Sequence, residues 1–402
     1  MQARPRLGGG PRGRTPALLL VLLVLLGGCD RDRPASPGAA GAPPTLAPPP
    51  PGPSPTPAPG ASPPGGRVEP AGTMTVARAA HSATALRDGR VLVVGGIEDA
   101  AGSAELYDPA SGRFAPAGRP TVAHAGDQTA TLLPDGRVLL AGGWDGARVT
   151  AAAELYDPAS GRFTATGLMR TPRSASTATL LPDGKVLVTG GWDGGRFLAS
   201  AELYDPASGR FTPTGGMAGP RGIHAAAPLP GGRVLVTGGD RAKGEVLAGA
   251  EVYDPASGRF TRTRSMTEAR HKLAAVSLAD GRVLVVGGSD DRDWRGQLAS
   301  AELYDPASGR FAPTATMHAA RFKLTEAVVR LPTGKVRVAG GDPRAEVYDP
   351  RRGVFLQSAG GVDAERQFAT ATALPDGRAL ILGGYDPDIR PTAAAWVWQP
   401  GG

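Results

Sequence analysis

The sequence is poor in the residues on which many active sites and stabilising cross-links depend. Its 402 residues include one cysteine and five histidines, and aromatic residues make up only 5% of the chain. A single cysteine cannot form an internal disulfide bond, and no Cys/His cluster has the spacing of a zinc site. No nucleophile elbow, phosphate-binding loop or calcium-binding loop is found. The sequence therefore predicts no metal and no cofactor, and it offers no catalytic triad.

Long apolar runs and blocks of positive charge are also missing. An unbroken apolar run covers residues 17–26, which is too short to span a bilayer. The formal net charge is +7 at pH 7, but the basic residues form no block and aromatics are sparse. Nothing in the sequence therefore supports nucleic-acid binding.

Residues 1–28 have the composition of a signal peptide, because four arginines precede the short apolar run. The run ends in Leu26-Gly27-Gly28-Cys29, which resembles the lipobox of bacterial lipoproteins. The resemblance implies cleavage before Cys29 and attachment of lipid to its sulfur, anchoring the protein in the cell envelope. Cleavage would lower the formal charge from +7 to +3. An incidental cysteine in an ordinary signal peptide is the alternative, and the choice between inner and outer membrane stays open.

Residues 29–65 are dominated by Pro, Ala, Gly and Ser. Such a segment has little to bury and favours extended polyproline II, up to roughly 3 Å per residue. It is predicted to be a disordered tether that holds a folded domain, residues 66–402, away from the membrane.

The folded domain is built from repeats. Ala-Glu-(Leu/Val)-Tyr-Asp-Pro occurs six times, with tyrosines Tyr107, Tyr156, Tyr204, Tyr253, Tyr304 and Tyr348. A diglycine follows an apolar run seven times, beginning at Gly95, Gly142, Gly190, Gly238, Gly287, Gly340 and Gly383. A period near 50 residues with strand-like content indicates a repeat architecture.

Each repeat contains four short strands. In the third repeat these are residues 176–181, 186–189, 201–204 and 210–213, with turns at 182–184 and 205–209. Four antiparallel strands without helical periodicity are typical of one propeller blade. The first strand is rich in Ser, Ala and Thr and the second in Val and Leu, which fits blades that converge on an axis.

The diglycine after the second strand and the tyrosine late in the third resemble the kelch repeat, although phenylalanine stands where that family has a tryptophan in strand four. The resemblance implies an all-β, seven-bladed kelch-type β-propeller. The last repeat lacks a fourth strand, and Gly66-Arg67-Val68-Glu69-Pro70 resembles the missing one. The N-terminal strand is therefore predicted to close the last blade, in a protein that we expect to be a monomer.

Variation among the copies points to one face of the propeller. The 1–2 and 3–4 turns are nearly identical, whereas the 2–3 loops differ in length and content. Tryptophans in these loops lie beside acidic residues, as Trp144 with Asp145, Trp192 with Asp193, and Trp294 with Asp293. An exposed indole next to a carboxylate suits stacking on a sugar ring; packing of the indole on a neighbouring loop is the alternative.

Arginine recurs just before the first strand, at Arg78, Arg173, Arg221, Arg270, Arg321 and Arg366. These arginines are expected to surround the channel mouth, where they could bind an anionic ligand. Kelch domains that bind acidic peptides resemble this arrangement. The alternative is a repeated structural interaction, because most copies are matched by a glutamate in strand three.

His81 and His224 occupy the same position in different blades and are weak candidates for acid/base groups in the channel; a structural turn histidine is the alternative. The interpretation favoured by the sequence is a non-catalytic binding module for a carbohydrate or an envelope protein. One alternative is a periplasmic sugar-modifying enzyme, such as an epimerase similar to the sialic acid mutarotase, which is also a kelch propeller. Another is a protein-assembly scaffold that recognises acidic segments.

Overall fold

A computed structural model of the chain describes residues 65–401. The predicted signal peptide, Cys29 and all but the end of the predicted tether lie outside the described residues. Within the described range, no helix has both the length and the apolar character needed to cross a membrane.

Residues 65–401 form seven blades, each with strands numbered outward from the axis as strands 1 to 4. Blade 1 contains Ser82–Ala85, Val91–Val94, Ala104–Asp108 and Arg113–Pro116. Blade 2 contains Thr129–Leu132, Val138–Ala141, Ala153–Asp157 and Arg162–Ala165. Blade 3 contains Thr177–Leu180, Val186–Thr189, Ala201–Asp205 and Arg210–Thr214. Blade 4 contains Ala225–Pro228, Val234–Thr237, Ala250–Asp254 and Arg259–Arg262.

The remaining blades follow the same antiparallel order. Blade 5 contains Ala274–Ser277, Val283–Val286, Ala301–Asp305 and Arg310–Pro313. Blade 6 contains Val328–Arg330, Val336–Val338, Glu346–Asp349 and Val354–Gln357. Blade 7 contains Thr370–Ala373, Ala379–Leu382, Thr392–Gln399 and, from the start of the domain, Arg67–Arg78. Between the blade strands lie a hairpin of Asp240–Ala242 with Glu245–Val246 and three 3-10 turns, Glu98–Ala100, Pro230–Gly232 and Asp293–Arg295. A short strand, Ala359–Gly360, pairs with Arg67–Arg78.

The ring is closed by the strand that the sequence predicted. Arg67–Arg78 pairs antiparallel with Thr392–Gln399, with Arg67 opposite Gln399 and Val68 opposite Trp398. The Trp398 indole Nε1 also donates a hydrogen bond to the Gly65 carbonyl at 2.8 Å. The innermost strands contact their neighbours around the whole ring, and that of blade 7 contacts that of blade 1. The seven-bladed, N-terminally closed propeller is therefore confirmed.

The hydrophobic core is divided among the blade interfaces. The described residues contain seven buried clusters, and each cluster joins two adjacent blades. The second strands are buried along their whole length, as in Val186–Thr189, because a neighbouring blade covers both of their faces. Tyr204 and Phe211 lie opposite each other on strands 3 and 4 with ring centroids 4.8 Å apart, and corresponding pairs recur in other blades.

The diglycines let adjacent blades approach closely. A Cβ atom on Gly190 would lie 2.4 Å from the Arg221 carbonyl oxygen of the next blade, and Gly190 has a φ of +60°. Gly191 N donates a hydrogen bond of 2.9 Å to that same carbonyl. Only glycine fits this contact, which explains why the pair recurs in every blade.

Candidate binding site

The repeated arginines form a buried layer that we call the arginine layer: Arg78, Arg173, Arg221, Arg270 and Arg321. In blade 3, Arg173 Nη2 lies 3.0 Å from Glu202 Oε1, and Arg173 Nη1 donates hydrogen bonds of 2.9 Å to the carbonyls of Gly190 and Ser200. Burial lowers the pKa of the Arg173 guanidinium, and the Glu202 carboxylate opposes that shift. The other members make corresponding ion pairs with Glu105, Glu251, Glu302 and Glu346.

Two blades depart from this pattern in a way that supports its structural role. In blade 2, His124 Nε2 lies 2.6 Å from Glu154 Oε1. In blade 7, Trp396 occupies the position opposite Ile381 at which other blades have the glutamate, and Arg366 pairs instead with Asp363 at 2.7 Å. All six predicted arginines are buried, with their charges neutralised by carboxylates. They do not present guanidinium groups at the channel mouth.

His81 and His224 lie between blades rather than in open solvent. His81 Nε2 is 3.0 Å from Thr370 Oγ1, and His224 Nε2 is 3.0 Å from Thr177 Oγ1, in each case across to the preceding blade. Burial, with a contribution from the positive charge of Arg78 or Arg221, lowers the pKa of each histidine to about 3. Both side chains are therefore neutral at pH 7, which fits the structural alternative.

Each blade places one residue in the left-handed region of backbone conformation, two residues after the arginine in six blades and three residues after His124 in blade 2. These seven residues, which we call the axial ring, are Ala80, Asp127, Ala175, Ile223, Lys272, Lys323 and Phe368, with φ between 51° and 57°. The conformation costs a non-glycine residue about 1–3 kcal/mol. It lets Ile223 N donate to the Ala175 carbonyl at 3.0 Å and Lys272 N donate to the Ile223 carbonyl at 3.1 Å, joining consecutive blades.

Trp144 and Trp192, both half-buried, lie in loops that are hydrogen-bonded to the segments around the axial-ring residue Asp127. Each tryptophan directly follows a diglycine. Trp144 N donates to the Gly126 carbonyl at 2.9 Å, and Trp192 exchanges two backbone hydrogen bonds with Ser174 at 2.8 and 2.9 Å. Ser174 Oγ then donates to Asp127 Oδ2 at 3.0 Å. Hydrogen bonds thus join the two segments that carry the tryptophans to the segment that carries Asp127, in blades 2 and 3.

The carboxylates next to these tryptophans shape their loops. Asp145 Oδ1 accepts hydrogen bonds of 2.9 Å from the backbone nitrogens of Ala147 and Arg148. Asp193 makes the same two contacts with Gly195 and Arg196, also at 2.9 Å. One oxygen of each carboxylate is therefore used to fix a turn, and only the other is directed towards an arginine side chain.

Asp293 takes part in a charged cluster between blades 4 and 5. Its Oδ1 atom lies 2.8 Å from Lys272 Nζ and 3.7 Å from His271 Nε2, while His271 Nδ1 lies 2.9 Å from Asp240 Oδ2. Burial raises the pKa of Asp293, but hydrogen bonding from His271 and the charge of Lys272 outweigh it and lower that pKa to about 2. The Lys272 ammonium is thereby neutralised within the protein.

Trp294 is the most exposed of the three loop tryptophans, at 37%. Its ring packs edge-on against Phe322 with centroids 5.0 Å apart, and Lys323 Nζ lies 4.5 Å from the indole. Lys323 Nζ also donates a hydrogen bond to the Tyr385 hydroxyl at 2.7 Å and lies 5.5 Å from the Phe368 ring. Aromatic faces thus surround a second buried ammonium group.

A cavity opens beside the axial ring where blades 6, 7, 1 and 2 meet. Its volume is about 40 Å³, taken as the space open to the centre of a water-sized sphere, and we call it the axial pocket. Its lining is Ala80, His81, Asp127, Gln128, Thr325, Glu326, Phe368, Ala369 and Thr370.

Two carboxylates dominate the electrostatics of the axial pocket. Burial raises the pKa of Asp127 to about 6, against the opposing effects of the Ser174 hydrogen bond and the Lys272 charge. Burial raises the pKa of Glu326 to about 7, against the opposing effect of a hydrogen bond from the Ala83 backbone and with a smaller contribution from the nearby Asp127 charge. The two groups are therefore close enough to influence each other, in surroundings that disfavour their ionised forms.

The sequence interpretation missed the axial ring, Glu326 and the lysine clusters. One signal was available for Glu326: Arg321 lies 19 residues before the first glycine of its diglycine, whereas the corresponding separation in blades 3, 4 and 5 is 17. The extra residues of blade 6 lie at the axial pocket. The axial ring was recognisable as the position two residues after the arginine, where the copies stop resembling each other.

Among residues 65–401, no three His, Cys, Asp or Glu side chains come together in a way that could hold a metal ion. A family model of the Kelch motif matches residues 173–218, which contain all four strands of blade 3 and end before the first strand of blade 4. No curated protein matches the chain. The matched motif and the seven similar blades together support a kelch-repeat β-propeller.

A solved structure of a fungal alcohol oxidase, described as catalytically diverse among the AA5 family and in complex with copper, is similar to this chain. The two have a TM-score of 0.67 and 19% sequence identity, and the match covers 83% of this chain and 76% of the oxidase chain. At this level of identity, the likeness shows the propeller fold alone.

Proposed function

We propose that this kelch propeller is a binding module for carbohydrate, with its site on the loop face of blades 2 and 3. The observation that carries the proposal is that the half-buried Trp144 and Trp192 lie in loops of adjacent blades, and that both loops are joined by hydrogen bonds to the segment that carries Asp127. An indole offers a flat apolar face for a sugar ring, while a carboxylate accepts hydrogen bonds from its hydroxyls.

The position of this surface also fits the role. Trp144 and Trp192 are held by backbone hydrogen bonds to the segments that form the axial ring, so their placement depends on the rigid part of the propeller. Trp294 lies farther round the loop face, where its edge contact with Phe322 and the Lys323 ammonium already occupy part of its surface. We therefore assign it a secondary role.

The scaffold that recognises acidic segments receives less support, because it depended on arginines that the structure shows to be buried and paired. The sugar-modifying enzyme depended on Arg221 and His224, which are also buried. Arg221 contacts the Trp192 loop only through its backbone in the hydrogen bonds described, with Arg221 N donating to the Leu198 carbonyl at 3.0 Å.

We further propose that Cys29 carries the lipid that anchors this module in the bacterial envelope. The support is the lipobox-like sequence that ends in Cys29. Metabolic labelling with a radioactive fatty acid should label the full chain and should not label a Cys29→Ala variant. Equal labelling of the two proteins would contradict the anchor.

Saturation-transfer NMR on the full-length chain, with a panel of neutral and acidic sugars, tests the carbohydrate proposal. Signal transfer to a sugar is expected in the unmodified protein. Trp144→Ala and Trp192→Ala should each weaken binding by about tenfold, since each removes one stacking face. Trp294→Ala should have a smaller effect. Leu168→Ala, which removes an apolar side chain exposed to 67%, is the matched surface control and should bind normally.

Two results would redirect the assignment. Anomers that interconvert faster with the protein than in buffer would make it an enzyme rather than a binding module. Absence of transfer from every sugar in the panel would refute the carbohydrate proposal, and cross-linking in intact envelopes would then be used to look for a protein ligand.

A further inference from the structure

The axial pocket is lined by hydrogen-bond acceptors. Asp127 and Glu326 each contribute a carboxylate. Gln128 uses its amide nitrogen to donate to the Val94 carbonyl at 3.0 Å, which fixes the orientation of the amide and leaves Oε1 as an acceptor. A ligand for this pocket must therefore supply donors.

One of two unpartnered buried atoms of the lining supports this requirement. Gln128 and His81 are 5% and 3% exposed, and both line the axial pocket. Within residues 65–401, neither Gln128 Oε1 nor His81 Nδ1 has a hydrogen-bond partner. A buried polar atom without a partner is costly, and an amide oxygen can only accept, so Gln128 Oε1 is a sign that a group with donors binds here. His81 Nδ1 gives no such sign, because it donates or accepts according to the tautomer and because His124 and His224, outside the pocket, also leave Nδ1 without a partner among the described residues.

The charges near the pocket favour a cation. Lys272 and Lys323 are the nearest ammonium groups of the axial ring, but Lys272 Nζ is bound to Asp293 at 2.8 Å and Lys323 Nζ donates to the Tyr385 hydroxyl at 2.7 Å. His81 is neutral because its pKa is lowered to about 3. The carboxylates of Asp127 and Glu326 thus lack a bound cation among the described residues, and the Phe368 ring adds a face that attracts positive charge.

We propose that the axial pocket binds a primary ammonium group between Asp127 and Glu326. An ammonium is compact and has three N–H donors, which match the two carboxylates and Gln128 Oε1. The segment that carries Asp127 is also hydrogen-bonded to the Trp144 loop and, through Ser174, linked to the Trp192 loop, where the proposed function places the sugar. The ligand is therefore assigned as an amino sugar with a free amino group. This assignment rests on the proposed function, whereas the ammonium site itself does not.

The raised pKa values of the two carboxylates give the site a pH dependence. Ammonium binding requires them ionised, so affinity should fall as the pH is lowered from 8 towards 5.5, through the pKa values of about 7 and about 6. The other charged or titratable groups that face the pair are Lys272 and His81, and His81 stays neutral over this interval.

The test uses the full-length chain and calorimetric titration at pH 7.5 with three probes. Methyl glucosaminide carries a free amino group, methyl N-acetylglucosaminide carries the same ring with a neutral amide, and n-butylammonium carries the charge without the sugar. The free amino sugar is expected to bind about tenfold more tightly than the acetylated one. Asp127→Asn and Glu326→Gln should abolish that preference and also the binding of n-butylammonium.

Asp183→Asn, which removes an exposed carboxylate of a 1–2 turn, is the control and should leave all three affinities unchanged. Equal affinity for the two sugars, together with no binding of n-butylammonium, would overturn the ammonium site and leave the carbohydrate function standing. Binding of n-butylammonium without binding of either sugar would overturn the carbohydrate function and the amino-sugar assignment, and would support the ammonium site alone. Unfolding curves of each variant verify that a loss of binding is not a loss of fold.

Discussion

The arginine layer and the axial ring lie two residues apart in the chain and differ in almost every physical respect. The arginine layer repeats one residue type, buried and paired with a glutamate, in five of the seven blades. The axial ring repeats a backbone conformation, with φ between 51° and 57°, while its side chains range from alanine to lysine, aspartate and phenylalanine.

The difference separates residues that support the packing of every blade from residues that give one region its own chemistry. A charge that is repeated, buried and neutralised within its own blade supports the packing of that blade. A conserved backbone with varied side chains is a scaffold that carries different chemistry in different blades. The carboxylates of Asp127 and Glu326 occur on one side of the ring, which is where the candidate site lies.

The largest expected effect comes from breaking one member of the arginine layer. Arg173→Met leaves Glu202 buried without its cation and should lower the free energy of unfolding by about 3–5 kcal/mol. Ala175→Gly, two residues later in the axial ring, should change it by less than about 1 kcal/mol because glycine adopts a φ of +51° without strain. Urea denaturation measures both.

A second variant tests the interpretation of that loss. Arg173→Met combined with Glu202→Leu removes the whole ion pair and should recover at least half of the lost stability. A double variant as unstable as Arg173→Met alone would mean that the hydrogen bonds to Gly190 and Ser200, rather than the ion pair, account for the effect.

In the axial pocket, removing a buried charge is expected to raise the free energy of unfolding rather than to lower it. The pKa of Glu326 is raised to about 7 in the folded protein, so its contribution to stability is present at low pH and is lost as the pH rises through 7. Glu326→Gln should therefore raise the free energy of unfolding at pH 8, by about 3 kcal/mol at most, and should have little effect below pH 5. Thermal unfolding at the two pH values measures the difference, and destabilisation at pH 8 would contradict the electrostatic account.

The buried histidines should respond in the other direction. The pKa of His224 is lowered to about 3, so its contribution is fully present above pH 6.5 and is lost as the pH falls. Between pH 6.5 and pH 5, the unmodified protein should lose about 2 kcal/mol that a His224→Asn variant does not lose. Denaturation curves at pH 7 and pH 5 would show the gap between the two proteins narrowing. If the difference in unfolding free energy between the two proteins were the same at pH 7 and pH 5, protonation of His224 would not destabilise the fold, which would contradict the lowered pKa.

The smallest effect is expected for the charge pairs of the opposite face. Arg137 and Asp135 are both well exposed on a 1–2 turn and lie 2.6 Å apart. Arg137→Ala should change the free energy of unfolding by less than about 1 kcal/mol, because water screens the pair. Urea denaturation measures the change. A larger loss would show that an exposed ion pair that recurs among the blades stabilises the fold as a buried one does.

The fold was largely predictable because the same marker residues recur at the same positions in successive repeats. The diglycine, the strand-three tyrosine and the Asp-Gly turns each mark a fixed place in the blade, and the match of Gly66-Arg67-Val68 to other fourth strands located the closure. The partnership of arginine with glutamate was recognisable as an alternative. Whether each pair was buried or open to a ligand depends on the depth of the layer, which spacing along the chain does not give.

The candidate site was less predictable for a related reason. The tryptophan loops were found from their divergence, but the link between Trp192, Ser174 and Asp127 crosses from blade 3 to blade 2. The axial pocket combines residues from four blades, and no stretch of sequence contains more than two or three of them together. Blade-to-blade contacts of this kind emerge only when the ring is closed.

Closure of the ring also determines the order in which the blades can fold. Arg67 is paired with Gln399, so the first strand of the domain has no partner until nearly the whole chain has been synthesised. Six blades can form from local contacts while the seventh waits for a loop of more than 300 residues to close, which is a slow step entropically. Because the axial pocket lies where blades 6, 7, 1 and 2 meet, it is complete only after that step. A chain that lacks its last strand would have its tryptophan loops in place but an incomplete axial pocket. Ligand binding in that pocket therefore requires that the ring has closed.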